Sequence, residues 1–129
     1  MNKNTNIETI KLVQGIGTVI DWNQKENKQL VEAILLLKNA DEAKRFLRDL
    51  MTEGEILEFA NRLEAASLLS KDVQYNAISE RTGLSSATIA RISKWLKGSL
   101  GGYRLILNRL AGKHHHNSSK LRKGLSLNT

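Results

Sequence analysis

Residues 73–96 read VQYNAISERTGLSSATIARISKWL, and their spacing decides the fold. Gln74 to Arg81 predicts a short helix that turns Ile78 inward and keeps Ser79 small where a second helix crosses close by. Thr82-Gly83-Leu84 then turns the chain, with Gly83 free to take the positive φ that a sharp interhelical turn requires. Ser85 caps a second helix over 86–97. On it Ile89, Ile92 and Leu96 form an inward stripe, and Ala87, Ala90, Arg91 and Lys94 an outward one. A small residue, a glycine four positions on and a branched aliphatic six positions later is the spacing of a helix-turn-helix. Structural helix pairs can show the same spacing. The outward stripe favours a groove reader: its alanines permit close approach, its two bases reach phosphate or guanine edges, and it carries no acid. The candidate DNA-binding set is Gln74, Ser85, Ser86, Ala87, Thr88, Ala90, Arg91 and Lys94, the serines included because free amides at a helix start attract phosphate.

Charge supports this from outside the motif. The chain has 20 bases, 13 acids and a net charge of +7, unevenly placed. All 13 acids lie in residues 1–80 beside ten bases; residues 81–129 hold the other ten bases and no acid. Ordinary solvated surfaces mix signs, so an acid-free half of this length calls for a polyanionic partner. A basic disordered tail on an ordinary domain is the plainer alternative. Against it, six of those ten bases, Arg81 to Arg109, fall where the chain reads as folded.

Upstream, Gln24 to Lys38 predicts a helix with Leu30, Val31, Ile34, Leu35 and Leu37 on a wide apolar face. Asp41 is the expected N-cap of a helix over Glu42 to Leu50. Thr52 and Glu55 form a capping-box pattern ahead of a helix from Glu53 to about Leu69, with Ile56, Phe59, Ala60, Leu63 and Ala66 on one face. The expected organisation is an N-terminal extension (1–23) open between strand, helix and disorder, a helical domain (24–111), and a basic disordered tail (112–129).

Hydrophobic residues make up 40% of the 129 residues and aromatics only 5%, which favours helices built on Leu, Ile and Ala over a sandwich. Cysteine is absent, which removes disulfides, thiolate zinc sites and cysteine nucleophiles together. Nothing in the residues supports catalysis: there is no glycine-rich phosphate loop, no histidine inside the expected fold and no carboxylate pair in an apolar setting. His114, His115 and His116 lack the spaced partner ligands of a metal site, so no metal is expected. Trp22 and Trp95 read as packing anchors rather than stacking platforms. The longest apolar run, Ala33 to Leu37, is too short for a membrane span, and the first residues show no secretory cleavage pattern; the cytoplasm is the expected location.

TEGEILEFANRLEAASLLSKD and ISERTGLSSATIARISKWLKG resemble the Trp repressor superfamily, most of all its Trp-repressor-like branch of the YerC/YecD type. The resemblance runs from Gln24 to Ala111. It implies an all-α fold containing a helix-turn-helix, an intertwined homodimer, and repression of transcription with the second helix of each motif in the major groove. It also matches the two arginines that hold bound tryptophan in Trp repressor to Arg62 and Arg91, a possible effector pair. The family's glycine after the second arginine is here Ile92, and its small serine three positions later is Trp95. Those side chains would fill the space of the indole and serve as core, so no cofactor is expected, tryptophan as corepressor included, and another effector stays open. For Arg62, pairing with Glu58 four residues earlier is an equal alternative.

Together these expectations describe a homodimeric regulator that reads double-stranded DNA with residues 86–97. The alternatives are a protein-docking helix pair and a structural factor that binds DNA without sequence preference.

Overall fold

The computed structural model describes the backbone of residues 19–126 and the side chains of residues 19–114. Residues 1–18, most of the 1–23 extension, lie outside the described residues, as do residues 127–129. Six helices account for the secondary structure among the described residues: α1 Lys25–Leu36, α2 Ala40–Leu50, α3 Glu53–Ser70, α4 Tyr75–Thr82, α5 Ser86–Lys97 and α6 Gly102–Ser126. The fold is all-α. The chain divides into two compact units, Met1–Phe46 and Leu47–Thr129, with the cut inside α2.

In the first unit no residue of α1 is buried, and Leu35 and Leu36 are largely exposed. Trp22, expected as a packing anchor, is also exposed, because nothing in the described chain covers it. The cap of α2 differs from expectation. The Glu42 amide donates to Asn39 Oδ1 at 2.9 Å, and Glu42 Oε1 accepts from the Lys38 amide at 3.1 Å. Asn39 therefore caps, and the Glu42 side chain adds a bond to the residue before the cap, which Lys44 could not do for a cap at Asp41. Asp41 falls inside the first turn, where it pairs with Arg45.

The second unit is organised by α3. Its capping box forms as the sequence predicts: Thr52 Oγ1 accepts from the Glu55 amide at 3.2 Å, and Glu55 Oε1 accepts from the Thr52 amide at 3.5 Å. The expected apolar face is only partly realised. Ala66 is buried, Ile56 and Leu63 are half-buried, and Phe59 and Ala60 are exposed. The fully buried residues of α3, Ala65, Ala66 and Leu68, all lie in its C-terminal half.

The core is small and specific. Ala65, Ala66, Ile78, Ile89 and Ile92 are completely buried, with Leu69, Val73, Leu84, Tyr103 and Leu107 packed around them. Each buried isoleucine contributes about 2 kcal/mol by leaving water. The turn between α4 and α5 is closed by hydroxyls. Ser79 Oγ donates to the Leu84 carbonyl at 2.8 Å; Thr82 Oγ1 donates to the Ile78 carbonyl at 2.7 Å and accepts from the Leu84 amide at 3.2 Å.

Helix α6 adds to the expected elements, with Tyr103, Leu107 and Leu110 at i, i+4 and i+7. Its backbone stays helical to Ser126, where a disordered tail was expected from residue 112. Once a first turn is packed, extending a helix needs no new nucleus, and no proline interrupts this one.

Gly83 takes φ 73° and ψ 3°, and its amide donates to the Ser79 carbonyl at 2.8 Å. A Cβ there would meet nothing within 4 Å, so its cost is conformational alone. Gly83→Ala is expected to lower stability by about 1 to 2 kcal/mol and Gly83→Asn by less, read as the shift of the urea midpoint at unchanged slope.

Candidate nucleic-acid interface

The second helix of the motif starts and ends where its sequence predicts. Ser85 Oγ accepts from the Thr88 amide at 3.2 Å and donates to Thr88 Oγ1 at 3.0 Å, while the Ile89 amide closes the first turn on the Ser85 carbonyl at 3.0 Å. One first-turn amide is thus capped, and the first-turn amides of Ser86 and Ala87 point out along the helix start.

The faces of α5 divide sharply. Ile89 and Ile92 are completely buried, Ser93 is 8% exposed, and Ala87, Ala90, Arg91 and Lys94 are all exposed. At about 100° per residue those four centre on the side opposite Ile89 and Ile92. Gln74, the N-cap of α4, is exposed with Ser85 and Ser86, and Thr88 is half-buried. All eight candidates thus lie on α5, at its cap or at the start of α4. Lys94 and Lys97 occupy the last turn, where positive charge suits the helix dipole. Among the described residues from Arg81 onward no carboxylate side chain offsets these bases.

Trp95 requires a correction. It was expected in the core beside Ile92 but is 46% exposed, lining a shallow groove with Leu100 and Tyr103. Position 95 stands about a quarter turn off the centre of the Ile89–Ile92–Leu96 stripe, and the flank that does enter the core is filled by small Ser93. Ile92 is core, as expected.

Arg62 lies on α3. It donates from Nη2 to Glu58 Oε1 at 2.7 Å, and its guanidinium carbon stands 5.6 Å from the centre of the Phe59 ring. Its Nε is buried without a hydrogen-bond partner among the described residues. The pairing with Glu58 is therefore present. His114 is exposed on α6, and the side chains of His115 and His116 lie outside the described residues. Among the described residues no group of His, Asp and Glu is placed to hold a metal ion, and no helix is long and apolar enough to cross a membrane.

The comparisons with known proteins agree with this geometry. The YerC protein of Bacillus subtilis (strain 168) is 40% identical over 96 residues, covering 74% of this chain and 92% of its own length. The crystal structure of a TrpR-like protein from Eubacterium eligens ATCC 27750 superposes with a TM-score of 0.66 at 39% identity, over 70% of this chain and 93% of the other. The family model of the Trp repressor protein matches residues 25–111, and the chain belongs to that family of DNA-binding helix-turn-helix proteins.

Proposed function

We propose that the chain is a sequence-specific, double-stranded DNA-binding regulator of transcription, acting as a repressor in the cytoplasm, which reads the major groove with residues 86–97. The observation that carries this reading is the exposed face of α5: two alanines and two bases without an acid, backed by Ile89 and Ile92 at zero exposure. Ala87 and Ala90 are flat enough to lie against base edges or a thymine methyl. Arg91 and Lys94 extend to guanine or phosphate, and the free amides beside Ser85 and Ser86 suit a phosphate oxygen. Gln74, exposed at the start of α4, is proposed to contact the backbone of the same duplex.

A second copy of the chain is the proposed partner for the apolar surface left on α2 and the first half of α3. Leu50, Leu57 and Phe59 are 49%, 64% and 43% exposed there, on more than one side of α3. A two-fold dimer would present two reading helices and demand a palindromic site. Free tryptophan is not the proposed effector. Arg62 is engaged by Glu58, and the positions that are glycine and serine in the Trp repressor pocket are Ile92 and Trp95.

Three outcomes test these statements. Ala90→Glu should abolish DNA binding in a protein that remains folded, since the position faces away from the core, whereas Lys94→Ala should weaken binding to all duplexes alike and reduce the salt slope by about 1. Wild-type binding by folded Ala90→Glu would remove α5 as the reader. Light scattering at micromolar concentration should give the dimer mass; a stable folded monomer would refute the two-fold arrangement. Titration with free tryptophan should leave the melting temperature unchanged, and a saturable rise would show that the pocket is open after all.

A further inference from the structure

The chain leaves α5 through a short corner, residues 98–101, and enters α6 at Gly102. Several features of that corner converge on one side chain. Arg104, in the first turn of α6, reaches back eight residues and donates from Nη1 to the Leu96 carbonyl in the last turn of α5. The carbonyls of a helix's last turn have no amide of their own helix to accept from, and they carry the negative end of its dipole. The neighbouring Trp95 carbonyl is satisfied locally by the Gly98 amide at 3.1 Å, which leaves the Leu96 carbonyl for the guanidinium. Arg104 forms no ion pair among the described residues, and residues 81–129 contain no acid to compete for it.

The backbone is shaped around this bond. Gly101 adopts φ 69°, and a Cβ built on it would stand 3.0 Å from Arg104 Nη2. Glycine at 101 therefore permits the turn, and a side chain there would require the guanidinium to shift by a few tenths of an ångström. The far end of the bond is anchored as well, because Tyr103 and Leu107, on either side of Arg104, pack against the core.

We infer that Arg104 is a positioning residue for DNA reading: it fastens the C-terminal turn of α5 to α6, so that Ala90, Arg91 and Lys94 are presented in one orientation. The inference rests on α5 being the reading helix. The N-terminal end of α5 is held by the Ser85 cap and the hydroxyl-closed turn; Arg104 holds the other end. Base readout needs side chains placed to about half an ångström, whereas attraction to phosphates tolerates looser placement. Loss of the fastening thus removes discrimination between sequences and spares non-specific attraction.

The test uses the full chain as wild type, Arg104→Met and Ala90→Glu, with a duplex selected from a random pool and a scrambled duplex, each titrated across salt. Arg104→Met should lower affinity for the selected duplex about tenfold, hold affinity for the scrambled duplex within about twofold, and keep the salt slope. Equal losses on both duplexes with a slope reduced by about 1 would make Arg104 a phosphate contact and overturn the proposal, as would full discrimination by the variant. Amide exchange provides a readout without DNA: Lys97 and Gly98 should exchange about tenfold faster in Arg104→Met while the Ala65 and Ala66 amides do not change. Unchanged exchange at Lys97 and Gly98 also overturns it. Failure of the wild type to discriminate, or indifference to Ala90→Glu, refutes instead the reading of α5 as the DNA reader.

Discussion

The contact on which the rest depends is the seating of Ile78, Ile89 and Ile92 against Ala65 and Ala66. Two alanines side by side on α3 give the shorter helices a flat place to approach, and the three isoleucines fill it completely. A larger residue at 65 or 66 would push α4 and α5 outward, and a smaller one at 89 or 92 would leave a cavity that a core of this size could not close. Because Ile89 and Ile92 are committed inward, the helical period sends Ala87, Ala90, Arg91 and Lys94 outward. The candidate reading face is thus the geometric complement of the core.

Charge and packing are separated along the chain in the same way. Most of the acids lie on α1, α2, α3 and α4, and several of them cap helix starts or pair at i and i+4, as Asp41 does with Arg45 and Glu58 with Arg62. The Asp41–Arg45 pair is exposed and contributes little to stability, whereas Arg62 of the other pair is half-buried. The bases of the acid-free remainder, from Arg81 onward, form no ion pair among the described residues; Lys94, Lys97 and Arg104 meet only the carboxyl end of a helix. Their physical sense lies in a polyanion whose counterions they can displace.

The helix-turn-helix was legible because every position in it carries one unambiguous demand: Ser79 and Gly83 for closeness and turn, Ser85 for the cap, Ile89 and Ile92 for the core. The boundaries 86–97 followed from these. Other positions resisted for identifiable reasons. Asn39 and Asp41 are both good caps, and only the Glu42 side chain, which returns a bond to the Lys38 amide, decides between them. Trp95 looked like core because large aromatics usually are, yet the helical angle puts it at the edge and lets Ser93 in. The stripe from Ile56 to Ala66 is real as a sequence pattern, but only Ala66 is fully buried while Phe59 and Ala60 stay exposed, which periodicity cannot reveal. Arg104 gave no signal at all, since a side chain bonded to a carbonyl eight residues back through a glycine corner has no motif.

The proposed function requires that the exposed face of α5 distinguish one DNA sequence from another. Selection of bound fragments from a pool of random duplexes tests this most directly. The result predicted is enrichment of one two-fold-symmetric sequence whose half-sites lie about one helical turn apart. Recovery of fragments with no common sequence, although the protein binds the pool, would contradict it.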